Sequence, residues 1–157
     1  MNAPHIFQLA QVNITRLRAP LDSPMLAEFV ANLDPVNALA EASAGFIWRL
    51  RDEGGNATSI PYSDDPAIIV NLSVWESVEA LREFTYRSHH TQFLKRRREW
   101  FERMDIAVAL WWVEAGHRPT PAEAREHLEH LERHGPSETA FSFAKPFAMP
   151  LESGALG

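Results

Sequence analysis

The sequence predicts an α+β domain in the split β-α-β arrangement: an antiparallel four-stranded sheet with helices on one face and an extra C-terminal helix. Three observations carry that expectation. Strand-like and helix-like segments succeed one another in the order β-α-β-β-α-β. The apolar run Ile68-Ile69-Val70-Asn71-Leu72-Ser73-Val74-Trp75 ends in a short turn and an amphipathic helix beginning at Val78. Thr120-Pro121-Ala122-Glu123 is a capping box with Pro at the first helical position, which opens a further helix.

Taken in order, His5 to Thr15 alternates as a strand, with Ile6, Ala10, Val12 and Ile14 on one face and Phe7, Leu9, Gln11 and Asn13 on the other. Ser23-Pro24 caps a helix that runs to about Ala42, and Pro35 is expected to kink or break it near Leu33-Asp34. Gly45 leads into a strand from Phe46 to about Arg51, where alternation sets Phe46, Trp48 and Leu50 against Ile47, Arg49 and Arg51. Arg49 and Arg51 are thereby assigned to the helix-side edge or to solvent. Glu53 to Pro66 is a polar loop, long for a hairpin and placed to cover a site. The helix after Trp75 extends to about His90, and a second helical stretch covers Thr91 to Arg103. Ala107 to Glu114 is a strand, and the capped helix ends at His134-Gly135-Pro136. Thr139 to Phe143 suits a short last strand, and the tail after Pro150 is expected to be loose.

With 157 residues the chain is expected to be a single domain with its core at about 5–145. A net charge of −6 argues against nucleic-acid and anionic-membrane partners, which need a basic footprint. The absence of cysteine excludes disulfides, thiolate metal sites and cysteine nucleophiles. No apolar run spans a bilayer and no leader is recognisable, so a cytoplasmic location is expected.

The strand ending at Trp75 directs the search for chemistry. Its face of Ile68, Val70, Leu72 and Val74 suits packing under helices. Its other face, with Ile69, Asn71, Ser73 and Trp75, carries an amide, a hydroxyl and an indole and suits a ligand cavity. Gln11 and Asn13 join it by alternation, as groups that hold a developing oxyanion or, alternatively, as a polar network fixing register. Trp48 and Trp75 are candidate pocket walls. His89 and His90 follow Tyr86 at i+3 and i+4 and are the candidate proton-transfer groups, with solvent exposure and helix capping as the plain alternative. Lys95-Arg96-Arg97-Arg98 reads first as a solvated helix face, and His130 and His134, at i,i+4 beside His127, as an exposed face before a metal clamp; no metal is expected. A sheet face bearing Leu9, Trp48, Ile69 and Trp75 needs cover, which points to a homodimer.

Several phrases recur together in one bacterial family: Ala10-Gln11-Val12-Asn13-Ile14, Ala19-Pro20-Leu21-Asp22-Ser23-Pro24, Asn37-Ala38-Leu39-Ala40-Glu41, Gly45-Phe46-Ile47-Trp48-Arg49-Leu50, Asn71 through Ser77, and Trp111-Trp112-Val113 with Gly116-His117. From about Gln8 to Phe143 the chain resembles domain-of-unknown-function family 3291. The resemblance implies a ferredoxin-like fold of the dimeric α/β-barrel superfamily, which includes antibiotic-biosynthesis monooxygenases, isomerases and heme-degrading enzymes. Trp75 through Phe84 looks like the strand-to-helix phrase common to that superfamily. The family itself supplies no activity; the activity expected from the residues is cofactor-independent oxygenation or proton-transfer isomerisation of an aromatic or polyketide-like compound. Here His89 or His90 would move a proton, Asn13 and Asn71 would bind the oxyanion, and Gln11, Trp48, Ser73, Trp75 and Tyr86 would line the substrate. No cofactor is expected. The alternatives are heme, held by His89 or His90 near Asn13 and Trp75 although the histidine lies about one turn beyond the position seen in heme-degrading relatives, and a non-enzymatic binding protein.

Overall fold

The computed structural model describes residues 7–51, 58, 60–88, 97–102, 104 and 107–150. Strict alternation builds the centre of the sheet. Strand β1 (Phe7–Leu17) sends Ala10, Val12 and Ile14 into one buried cluster and Leu9 into another on the opposite side. Leaving β1, Pro24–Leu26 forms a short 3-10 turn, and α1 (Ala27–Glu41) continues from it. Strands β2 (Phe46–Arg49) and β3 (Ile68–Trp75) follow, then α2 (Val78–Ser88) and a short α3 (Arg97–Trp100). Strand β4 (Phe101–Glu102), strand β5 (Val108–Glu114) and α4 (Pro121–His134) complete the described elements.

All the strand pairs are antiparallel. β1 pairs with β3 so that Asn13 lies opposite Asn71 and Gln11 opposite Ser73. On its other edge β1 pairs with β5 and, further along, with β4 at Arg16 and Leu17. β2 lies outside β3, giving five strands in which β4 and β5 share one edge.

The expected dimeric α/β barrel is therefore corrected. Among the described residues no strand joins the β2 edge to the β4 and β5 edge, and the sheet stays open. Five strands replace the expected four, because Phe101–Glu102 pairs with β1 instead of extending a helix to Arg103. Trp100 and Phe101 are drawn into a buried cluster with Leu17, Leu26 and Phe29, and burial of three aromatic rings outweighs a further helical turn.

The covering of the sheet also differs from the expectation. Helices α1 and α2 lie over the face of Leu9 and Trp75, where Ala40, Val78 and Leu81 are buried. Helix α4 lies over the other face, burying Ala124, Leu128 and Leu131 against Ala10, Val12, Ile14, Val70 and Leu72. The two α-helices of the ferredoxin-like unit share one face, and the additional helix takes the other. The cover that the sequence argument assigned to a second copy is supplied by the same chain.

Local chemistry explains these placements. The Thr120 hydroxyl accepts from the Glu123 amide at 3.2 Å, and Gly135 ends α4 at φ +74°. Pro35 lies inside α1 without ending it. Pro35 and Ala31 are both exposed, so water can hydrate the carbonyl whose partner is missing. Gly45 holds φ +84°, and a Cβ there would run into the Ala80 side chain, so glycine lets β2 enter directly beneath α2. Thr139 to Phe143 forms isolated bridges instead of a strand, Phe141 to Leu110 and Ser142 to Lys145. Residues 53–57 and 59 of the 53–66 loop, and the 91–96 stretch, lie outside the described residues.

Candidate functional site

Between the sheet and the α1/α2 layer lies a cavity of about 300 Å³, at the small end of the range of about 300–1,000 Å³ typical of ligand sites. Helical spacing supplies its roof. Phe29, Leu33, Val36, Asn37 and Ala40 of α1 fall on one stripe, as do Leu81, Phe84 and Thr85 of α2. Its floor is the mixed sheet face: Gln11, Asn13 and Thr15 from β1, and Ile69, Asn71, Ser73 and Trp75 from β3.

Antiparallel register turns five of these residues into a bonded array. Asn13 Nδ2 donates to Gln11 Oε1 at 3.0 Å. Gln11 Nε2 in turn donates to Asn71 Oδ1 at 3.1 Å and to Ser73 Oγ at 2.8 Å. Trp75 Nε1 also donates to Ser73 Oγ, at 2.9 Å. With two donors on its oxygen, the Ser73 hydroxyl has its own proton left to give. Asn71 Nδ2 donates to no described residue. Gln11 and Ser73 are buried, Asn13 is half-buried and Asn71 exposed, so the array runs from a dry end to a wet one. The Trp75 indole is itself buried, stacked on Phe84 with ring centroids 5.2 Å apart and met edge-on by Phe46 at 5.4 Å.

Thus Asn13, Asn71, Gln11, Ser73 and Trp75 are brought together. Trp48 is not. A β-bulge between Phe46 and Trp48 shifts β2 by one residue, so Trp48 pairs with Val74 and packs into the cluster beneath α4. Tyr86 is 63% exposed on α2 and does not line the cavity. His89 and His90 lie outside the described residues, as do the side chains of the Lys95-Arg96-Arg97-Arg98 run.

The same bulge brings in a residue that alternation missed. Arg49 pairs with Ser73 across the strands and lines the cavity, with its side chain 11% exposed. Its Nε lies 3.3 Å from Glu41 Oε2, and Arg51 Nη1 lies 3.7 Å from that same oxygen. The bulge carries no residue signature of its own; a Gly at its corner is the usual clue, and here Gly45 precedes it by one position.

The histidines of the C-terminal half belong to the opposite side of the sheet. His117 Nε2 is 2.7 Å from Glu123 Oε1, while Trp111 Nε1 donates to Glu123 Oε2 at 3.2 Å. His127 stacks on Trp111 at 4.4 Å and its Nδ1 donates to the Glu123 carbonyl at 2.9 Å. The Glu123 carboxylate, read as a capping-box partner, is instead bonded to Trp111 and His117 through both oxygens. His130 and His134 are ring neighbours at 4.5 Å. Among the described residues no group of three or more His, Asp or Glu is arranged to hold a metal ion, and no histidine lines the cavity, so its described walls offer heme no axial ligand. No helix among the described residues is long and apolar enough to cross a membrane. Beneath α4, burial pushes the Tyr62 phenol up to about 12; Glu129 adds to this, Arg125 opposes it and Glu132 adds a little more.

Three solved structures show low-identity likeness. SnoaB, a cofactor-independent oxygenase from Streptomyces nogalater, is 18% identical, with 75% of this chain and 97% of that chain covered and a TM-score of 0.38. A Pseudomonas aeruginosa protein is 15% identical over 73% of this chain and 100% of its own, with a TM-score of 0.43. A Nitrosomonas europaea protein of unknown function is 14% identical over 74% and 97%, with a TM-score of 0.41. No curated protein matches the sequence. A family model matches residues 8–155, nearly the whole chain, and the protein belongs to that family, described as Domain of unknown function (DUF3291).

Proposed function

We propose that the protein is a cofactor-independent enzyme that binds a compact aromatic or polyketide-like molecule in the cavity beneath α1 and α2. The observation that carries this reading is the array of neutral hydrogen-bonding groups, Gln11, Asn13, Asn71 and Ser73, beneath an aromatic roof. A non-enzymatic reading in which the chain's own side chains fill the space is disfavoured by the cavity of about 300 Å³.

In this proposal the substrate carries an acidic C–H next to a carbonyl or phenol. Proton removal creates an enolate, whose oxygen is held by the Asn71 amide, the second Asn13 N–H and the Ser73 hydroxyl. Donors fixed before reaction stabilise developing charge without reorganising, an effect worth about 3 kcal/mol per donor in other enzymes. Trp75 walls the ring. His89 or His90, at i+4 and i+5 from the cavity-lining Thr85, moves the proton. Two outcomes share this enolate. Returning the proton to another carbon is an isomerisation. Addition of O₂ to the carbanion and loss of water converts CH₂ to C=O, with one oxygen atom in the product and one in water.

The test is turnover of a panel of hydroxylated anthrones and unsaturated lactones, followed by O₂ uptake and by product mass under ¹⁸O₂. Asn13→Ala and Asn71→Ala are expected to lower kcat by about a hundredfold each. His89→Ala and His90→Ala are compared in parallel, and at least one should lose the proton-transfer step. Unchanged turnover in all four variants refutes the assignment. Tight binding of the panel without turnover by the wild type refutes the enzymatic reading.

A further inference from the structure

Among the described residues lining the cavity, Arg49 is the one charged side chain. The polar remainder, Gln11, Asn13, Asn71 and Ser73 among them, is neutral. A guanidinium has five N–H donors, and leaving them unmet in a mostly buried position is costly. Here only Nε is engaged, at a loose 3.3 Å from Glu41, and the Nη nitrogens donate to no described residue. Glu41 is also claimed by Arg51, so among the described residues two cations share one carboxylate and the cluster keeps one net positive charge. Glu41 is 41% exposed at its side chain and Arg51 is 61% exposed, so water weakens their part of the cluster, whereas Arg49 faces the cavity.

We infer that Arg49 is an anion anchor and that the cavity takes an aromatic monocarboxylate. This rests on the reading of the cavity as a ligand site and narrows its substrate class. The paired Nη groups match the two oxygens of a planar carboxylate, and a single free positive charge matches a single negative one. The aromatic portion lies against Trp75 and Phe84, and the oxygen functions at its far end reach the amide array. A neutral ligand of the same shape leaves the guanidinium unmet and binds more weakly.

The experiment uses 1-naphthoate and its neutral counterpart 1-naphthamide, titrated calorimetrically against the full chain at pH 7.5. The wild type is expected to bind the acid at least about tenfold more tightly than the amide, the scale of one hydrogen-bonded charge pair. Arg49→Gln should remove that gap while holding amide affinity within about twofold, and Glu41→Gln, which frees Arg49, should tighten the acid alone. Equal binding of acid and amide by the wild type, or a gap that persists in Arg49→Gln, overturns the anion anchor and leaves the cavity reading standing. Binding of neither probe overturns both. If Arg49→Gln fails to fold, Glu41→Gln decides: no tightening of the acid refutes the inference.

Discussion

Replacing Gln11 with Met separates a ligand-facing array from a sealed structural network. Gln11 makes three side-chain hydrogen bonds, one accepted from Asn13 and two given to Asn71 and Ser73. Met keeps the length of the side chain and removes all three. At about 1 kcal/mol net each the gross loss is near 3 kcal/mol. The partners are not equally stranded, however. Asn71 is exposed and Asn13 half-buried, so both regain water, and Ser73 retains the indole N–H of Trp75. The net loss should therefore fall to about 1–2 kcal/mol, or roughly 2–8 °C in Tm for a chain of this size. In a sealed core the same change would leave groups without any partner, at about 1–3 kcal/mol for each. Urea unfolding at constant m-value measures the difference, and a double-mutant cycle with Ser73→Ala should return a coupling of about 0.5–1.5 kcal/mol. A loss below about 0.5 kcal/mol would refute the bonded hub. A loss above about 5 kcal/mol would refute its access to water.

Three further outcomes follow from packing and charge. Gly45→Ala combines a positive φ with overpacking against Ala80 and should cost about 2–4 kcal/mol by thermal melting, with part of the loss recovered on adding Ala80→Gly. Leu128→Ala, which opens the α4 layer over Val12 and Leu72, should cost about 2–5 kcal/mol in urea; a loss under about 1 kcal/mol would contradict the cover that α4 gives the sheet. The Tyr62 phenol holds its proton up to about pH 12 in the fold, while the unfolded chain releases it near pH 10. Between those values the unfolded state binds fewer protons, so this contribution is complete below about pH 10 and is lost as pH rises toward 12. Compared in a Tyr86→Phe background, which leaves Tyr62 as the single tyrosine, Tyr62→Phe should flatten the fall of Tm over that window.

Much of the strand framework was legible because period-2 alternation is a local property. Ile68–Trp75 forms β3 over those bounds, and the amide and hydroxyl side chains of β1 and β3 meet on one face because the register sets Asn13 against Asn71. The Thr120 cap was equally local. What alternation could not give was tertiary in origin. Which face α1 and α2 would cover depends on connection geometry, and both sheet faces carry enough Leu, Val and Trp to accept helices. The barrel expectation failed there, since the amphipathic stripe of Ala124, Leu128 and Leu131 was visible but its docking face was not. Trp48 and Arg49 were assigned to the wrong faces for a different reason: one bulged residue reverses every later assignment in its strand.

That bulge also means the character of the cavity is held in backbone count as much as in side-chain identity. Were β2 to pair with β3 without interruption, Trp48 would turn inward and Arg49 outward, and the same sequence would enclose an uncharged, more aromatic space. A change of preference between acidic and neutral ligands thus lies within reach of a single slip in one edge strand, with every residue of the amide array left where it is. Relatives that differ by one residue before Trp48 would then be expected to sort by the charge of what they bind, even where their floor residues are identical.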